Sequence, residues 1–284
     1  MQPEAAGGPP KKVNLAATAV IWISLILTTL FATGIYEFII EKEPNKCAMS
    51  YMYELPQYIN LNVSHAKYSL FAYGEGPLSE KVQKLDFSGI PVLFIPGNAG
   101  SFRQVRSLAS IGLRKAIEES KYKTHFDYFA ANFVEEYSAL YGGTLQDQAD
   151  FVRQSIGIIL GLYKGLDKRP QSVILVGHSI GGLIAKSLFL DPDFDQGQVK
   201  IIVTLATPHH APVVNADPKI QDFYTKLDNF WNYNEIEKKF LLVSIGGGVQ
   251  DAQVRPGLTW SAQADINVQV KTLKRANFQC FVSL

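Results

Sequence analysis

The sequence predicts an α/β fold, a mostly parallel sheet with helices on both faces, preceded by one N-terminal transmembrane helix. Three observations carry this expectation. Short apolar runs rich in Val and Ile alternate with segments of helical spacing along most of the chain. One of those runs, residues 173–176, ends on Gly177-His178-Ser179-Ile180-Gly181, and a helix-like stretch follows at once. Finally, residues 13–40 are apolar, with no charge between Lys12 and Glu37.

The chain has 284 residues, 47% hydrophobic and 19% charged, enough for one sizeable α/β domain or two small ones. Its net charge of +1 and lack of a dense Lys/Arg patch exclude nucleic acid as a partner. Two cysteines, Cys47 and Cys280, are too few for a disulfide framework or a structural zinc site. They read as two lone thiols, with a single pairing in an oxidising compartment left open. Residues 1–12 read as a cytosolic disordered tail, and no internal repeat is visible.

The uncharged span reaches roughly 36 Å as a helix, against a hydrocarbon core of about 30 Å. It exceeds a signal-peptide core and lacks a small-x-small cleavage site, so residues 13–40 read as a retained membrane anchor, with a buried core helix as the alternative. Lys11 and Lys12 precede it, while Glu37, Glu41, Lys42 and Glu43 lie at its far end. The positive-inside rule then puts the N-terminus in the cytosol and the rest across the membrane. That placement makes Asn62-Val63-Ser64 a usable glycosylation sequon.

After the anchor, residues 68–73 and 82–87 read as strands around a Gly74-Glu75-Gly76-Pro77 turn. Residues 90–95 form a buried-strand pattern that runs into the loop Pro96-Gly97-Asn98-Ala99-Gly100. Ser101 and Gln104 make a capping box, and Val105, Leu108, Ala109, Gly112, Ala116 and Ile117 keep helical spacing to about Glu119. Residues 127–133, 200–206 and 240–245 are strand-like, and His125 starts the first of these near the surface. Residues 144–163, 180–190 and 219–231 are helix-like, and Ile266, Val268 and Val270 alternate as in a late strand.

G-x-S-x-G between a strand and a helix is a nucleophile elbow. The turn is so tight that Ser179 is strained, and side chains at Gly177 or Gly181 would strike the neighbouring strand and helix. Ser179 then projects its hydroxyl above the sheet, where the helix N-terminus favours developing negative charge. An oxyanion hole needs two backbone donors. Ile180 supplies one, and Asn98 or Ala99 in the Gly-rich loop supplies the other.

Several motifs together resemble one family. L-F-I-P-G-N-A-G-S with R-Q-V-R-S, A-L-Y-G-G-T-L, G-H-S-I-G-G-L, A-T-P-H-H-A-P-V, D-F-Y, D-A-Q-V-R-P-G-L-T and, after the anchor, N-K-C-A-M-S-Y-M-Y-E-L-P are similar to the lumenal domain of the GPI inositol-deacylases. The resemblance runs from about residue 45 to 259. It implies an α/β-hydrolase domain over 45–259, a membrane enzyme of the endoplasmic reticulum, and GPI-anchored proteins or the GPI glycolipid as substrate. The reaction implied is removal of the acyl chain from the inositol, which aids transport to the Golgi. It also implies Ser179 as nucleophile and Asp251 as the acid of a triad. No cofactor is called for, and no metal: His209-His210 has no acidic or thiol set at ligand spacing.

The usual order places a histidine after the acid, yet the histidines are His65, His125, His178, His209 and His210. His65 reads as exposed, His178 as turned away from the hydroxyl, and His210 as a solvated neighbour of His209. His209, after a sheet strand, is the one internal substitute for the base, against a pocket-lining or structural role. From Trp260 the motifs stop, so residues 260–284 read as a divergent tail, and the family's further membrane spans are missing. The expectation is a truncated or alternatively ended form with little or no activity, since losing one triad member costs on the order of 10⁴ to 10⁶ in rate. Three functions stay open: a serine esterase of the inositol-deacylase kind, a non-catalytic membrane-anchored GPI-binding module, and a lipase using His209.

Overall fold

The computed structural model describes residues 15–40, 51, 53–120, 124–163, 165, 169–233 and 240–270. The chain divides into two compact units, residues 1–46 and 47–284. In the first, the described residues form one helix, α1 (Leu15–Ile40). Its Ala16–Glu37 stretch, with mean hydropathy 2.0, is long and apolar enough to cross a membrane. Trp22, Leu30 and Phe31 face outward, 62%, 64% and 72% exposed. Thr28, Thr29 and Thr33 donate their hydroxyls to carbonyls one turn back, each at 2.8 Å, which removes the hydroxyls' need for water.

The second unit is built on one sheet. Its strands are β1 (Gln57–Asn60), β2 (Ser69–Gly74), β3 (Ile90–Ile95), β4 (Phe126–Asn132), β5 (Val173–His178), β6 (Val199–Leu205), β7 (Leu241–Gly246) and β8 (Ile266–Gln269). Their spatial order is β1-β2-β4-β3-β5-β6-β7-β8. β2 pairs antiparallel with both β1 and β4, and every other pairing is parallel. The helices are α2 (Ser79–Gln83), α3 (Val105–Lys115), α4 (Leu145–Leu162), α5 (Ile180–Ser187), α6 (Pro218–Tyr233) and α7 (Pro256–Thr259).

The two-residue period of the strands splits the core into two layers. Leu93 and Ile95 of β3 pack with Phe151, Ile156 and Ile159 of α4 and with Leu183 and Ile184 of α5. Val92 and Phe94 face the other way, onto Val105 and Ala109 of α3. Phe94, Phe129 and Phe151 are fully buried, each contributing about 2 kcal/mol relative to exposure. The chain steps from β3 to β4 through α3, then returns past β3 to β5 through α4. That reversal sets the carboxyl ends of β3 and β5 side by side at a topological switch point of the sheet.

Three expectations meet a different outcome. Residues 82–87 are not a strand: Ser79–Gln83 is the short helix α2, with Glu80 and Lys84 paired one turn apart and Leu85 in the left-handed region at φ 55°. Leu85 cannot continue a strand there. The reciprocal capping box does not form, since the Ser101 hydroxyl accepts from the Arg103 amide at 3.4 Å. The helical stretch expected to about Glu119 does run to Ser120, as α3 to Lys115 and then a wider helical turn over Ala116–Ser120. His125 is buried beside Asp127, its Nε2 3.4 Å from Oδ1. Cys47 and Cys280 lie outside the described residues.

Candidate active site

Ser179 sits where β5 turns into α5, with φ 52° and ψ −126°. Few residues with a side chain adopt that conformation, and the surrounding bonds hold it. The Ser179 amide donates to the Leu205 carbonyl at 2.8 Å, which keeps it in the sheet ladder. Its carbonyl accepts from the Gly182 amide at 3.1 Å and from the Thr207 hydroxyl at 2.8 Å. The residue is part-exposed, while its neighbours His178 and Ile180 are buried.

The flanking glycines are there for space. A Cβ at Gly177 would stand 2.5 Å from Gly182 Cα, and one at Gly181 would stand 2.4 Å from the Ile95 carbonyl oxygen. The helix therefore presses on the strand that precedes the serine, and the loop after β3 presses on the helix. Gly97 belongs to that loop, and its missing Cβ would lie 2.8 Å from Ser179 Cβ.

Of the three proposed oxyanion donors, the structure separates one from the other two. Ala99 adopts φ 50° and donates its amide to the Glu136 carbonyl at 2.8 Å, so this N–H is already committed. Gly100 donates to the Gly97 carbonyl at 3.0 Å, closing the loop as a turn. The Asn98 amide has no partner among the described residues, and its side-chain Oδ1 accepts from the Ala139 amide at 2.9 Å. Ile180 opens α5, where the first amides have no partner inside the helix. Asn98 and Ile180 thus keep amides that are uncommitted among the described residues.

Asp251 lies after the carboxyl end of β7, on the same edge of the sheet as the elbow. Its Oδ1 accepts from the Gln253 and Val254 amides at 3.1 and 2.8 Å, which orient the carboxylate. Burial pushes its carboxyl above the ordinary range, and the two backbone donors pull it partly back. No histidine among the described residues bonds its carboxylate or the Ser179 hydroxyl.

His209 is buried with its ring turned toward the sheet. Its Nε2 lies 3.0 Å from the Thr204 hydroxyl, which itself donates to the Val243 carbonyl at 3.3 Å. With the Thr204 hydroxyl donating to Val243, the tautomer with its proton on Nε2 is the one this contact fits. Nδ1 is buried without a partner. Burial, then Lys186 and His210, hold this histidine well below its ordinary pKa. It is a tie between β6 and the loop after it, which its amide also fastens to the Leu258 carbonyl at 2.7 Å. His178 is buried too, and burial lowers its pKa to about 4. Lys67 and Tyr68 donate their amides to His65 Nδ1, and His210 stacks on Trp260.

A match to the PGAP1-like alpha/beta domain covers residues 86–277. The chain belongs to this family. The family match continues past Trp260, where the recognisable motifs stop, and takes in β8. GPI inositol-deacylase from Mus musculus is 45% identical over 254 residues, covering 87% of this chain and 27% of that protein. The GPI inositol-deacylase of Drosophila melanogaster is 34% identical, covering 88% of this chain and 29% of its own length. The chain thus spans about a quarter of the length of these curated relatives. Among solved structures, a sugar hydrolase from Lactococcus lactis aligns with a TM-score of 0.52 at 12% identity, over 75% of this chain and 82% of that one. A lipase/esterase from Lactobacillus plantarum gives 0.50 at 16%, over 77% and 90%. These likenesses establish the fold of the second unit, an α/β hydrolase.

Proposed function

We propose that the chain carries the ester-hydrolase domain of a GPI inositol-deacylase, attacking the acyl ester on inositol through Ser179. One observation carries this reading: a part-exposed serine held at φ 52° beside two uncommitted backbone amides, Asn98 and Ile180. In the first step the Ser179 oxygen bonds to the ester carbonyl carbon and its proton leaves to a base. The carbonyl oxygen, now an oxyanion, takes the two amides, and the inositol oxygen departs with a proton to leave an acyl-enzyme. Water then releases the fatty acid. Asp251, fixed by two backbone amides, would orient and stabilise an imidazolium that donates to its free oxygen. His209 is not assigned that role in this reading, since its Nε2 meets Thr204 and its buried Nδ1 bonds neither Ser179 nor Asp251.

The reading is tested by labelling the purified chain with a fluorophosphonate. Modification of Ser179 is expected, abolished in Ser179→Ala, whereas an unlabelled wild-type protein would overturn the esterase reading. A second reading is favoured by the absence of a histidine bonded to Ser179 or Asp251 among the described residues. It is a membrane-anchored module that binds the GPI glycolipid without turning it over. That reading predicts glycolipid binding with no labelling.

The relatives' name and the apolar helix α1 also support an endoplasmic-reticulum membrane location, with α1 as anchor and the hydrolase domain in the lumen. Asn62 is exposed, at φ 49°, in the loop between β1 and β2. Expressed in cells, the protein is expected to carry a glycan there. Treatment with an endoglycosidase should shift the wild type on a gel and leave Asn62→Gln unmoved. A wild type of unshifted mobility argues against lumenal placement.

A further inference from the structure

We propose that Glu136 is a positioning residue that locks the oxyanion loop against Ser179; the inference rests on the reading of Ser179 as the nucleophile. Glu136 follows two consecutive non-glycine residues in the left-handed region, Val134 at φ 56° and Glu135 at φ 54°. Each such residue costs about 1 kcal/mol or more, so this turn does not keep its shape unaided. Its main chain is what the oxyanion loop leans on. The Glu136 carbonyl accepts the Ala99 amide at 2.8 Å, and three residues on, the Ala139 amide donates to Asn98 Oδ1 at 2.9 Å. These two bonds hold Asn98 and Ala99 from outside, and by engaging the Ala99 amide they leave Asn98 as the uncommitted donor.

The Glu136 side chain holds the turn in place. Lys67 donates to Oε1, and Oε2 accepts from the Tyr68 hydroxyl at 2.6 Å and from Gln148 Nε2 at 2.9 Å. Gln148 also donates to the Ser138 hydroxyl at 2.7 Å, so two residues of the turn are bound to the same α4 side chain. Tyr68 and Gln148 are buried. Burial alone would raise the Glu136 carboxyl, but the bonds from Lys67, Tyr68 and Gln148 bring it below the ordinary range. It is a charged acceptor at neutral pH. Removing it leaves the Tyr68 hydroxyl and one N–H of the Gln148 amide without their acceptor, and the strained turn loses its restraint. The anchor points come from the segment before β2, from α4 and from the loop after β4, each remote from Ser179 in sequence.

The experiment reads the loop and the nucleophile separately, in the full chain. Glu136→Ala, Glu136→Gln, Lys67→Met and Tyr68→Phe are compared by amide hydrogen exchange and by the concentration dependence of fluorophosphonate labelling. In Glu136→Ala the Ala99 amide is expected to exchange at least about 10-fold faster, while Ile202 in the middle of β6 is unchanged. The maximal labelling rate is expected to fall by up to about 100-fold, as for a donor misplaced by about 1 Å, with the half-saturating concentration unchanged. Glu136→Gln, which keeps an acceptor oxygen, is expected to recover part of both, and Lys67→Met and Tyr68→Phe to give smaller losses. Unchanged exchange at Ala99 would overturn the proposal. So would equal acceleration at Ile202 in all four variants, which would mark Glu136 as a support of the whole fold. If the wild type does not label but Ala99 exchange still rises in Glu136→Ala, the positioning stands and the nucleophile reading falls.

Discussion

Gly181→Ala is expected to eliminate Ser179 labelling and to lower the melting temperature by about 10 °C. The reason is a collision that nothing nearby can relieve. The added Cβ would lie 2.4 Å from the Ile95 carbonyl oxygen and 2.6 Å from the Pro96 carbonyl oxygen. Both are backbone atoms, and Ile95 is paired with Gly177 of β5 and itself fully buried. The clash is therefore met by moving α5, the helix whose first amide is to receive the oxyanion, or the loop that carries Asn98. Overpacking of this kind costs about 3 kcal/mol, and each kcal/mol lowers the melting temperature of a domain this size by about 2–4 °C. Gly157→Ala is the matched control. That glycine lies in α4 with nothing within 4 Å of the added methyl, and the substitution is expected to raise stability by about 0.5–1 kcal/mol. Thermal melts and fluorophosphonate labelling of the two variants decide the matter. Gly181→Ala protein that melts and labels like wild type would remove the basis for the elbow.

The same elbow shows which features sequence reading reaches. Strand, Gly-x-Ser-x-Gly and helix are contiguous, so the constraint on Ser179 is written within eleven residues, and the strain and both close approaches followed from it. The parallel order of β3 to β7 was legible for a related reason, since each strand is a short, nearly continuous apolar run between helical segments. Residues 82–87 misled because Val82, Leu85 and Phe87 are too few to separate a strand from a turn of helix. Packing decides there: Val82 sits where any side chain at Gly74 would collide with it. His125 looked exposed because the residues before it are polar, yet Asp127 and the chain around Gly89 close over it. The choice between Asn98 and Ala99 lay beyond local sequence. It depends on the carbonyl of Glu136, and that in turn on Lys67, Tyr68 and Gln148, residues up to 81 positions apart that only the fold brings together. The surroundings of His209 were out of reach for the same kind of reason: its Nε2 meets Thr204, a neighbour on β6, in the buried interior.

Acidification should then unfold this domain earlier than its carboxylates alone would. His178 and His209 are both buried and neutral, and burial holds each below its ordinary pKa, His178 down to about 4 and His209 well below its usual value. In the unfolded chain both titrate near 6.5. Between these limits the unfolded state binds protons that the folded state refuses, so stability is full above about pH 6.5 and declines as the pH falls. Each histidine contributes up to about 1.4 kcal/mol per pH unit, or about 2.5 kcal/mol by pH 4.5. Asp251 acts in the opposite sense, since its raised pKa makes the folded state the better proton acceptor. Glu136, held low by its donors, adds to the loss only near and below its unfolded value. The two histidines therefore dominate the upper part of the range, and the melting temperature is expected to be about 10 °C lower at pH 4.5 than at pH 7. His209→Gln tests the assignment. Its amide can still donate to Thr204 but does not titrate, so the variant should keep most of its stability at pH 7 and lose about half of the acid sensitivity. A wild type that melts at the same temperature across this range, or a His209→Gln protein as acid-sensitive as wild type, would show that His209 is not the neutral buried tie the structure makes it.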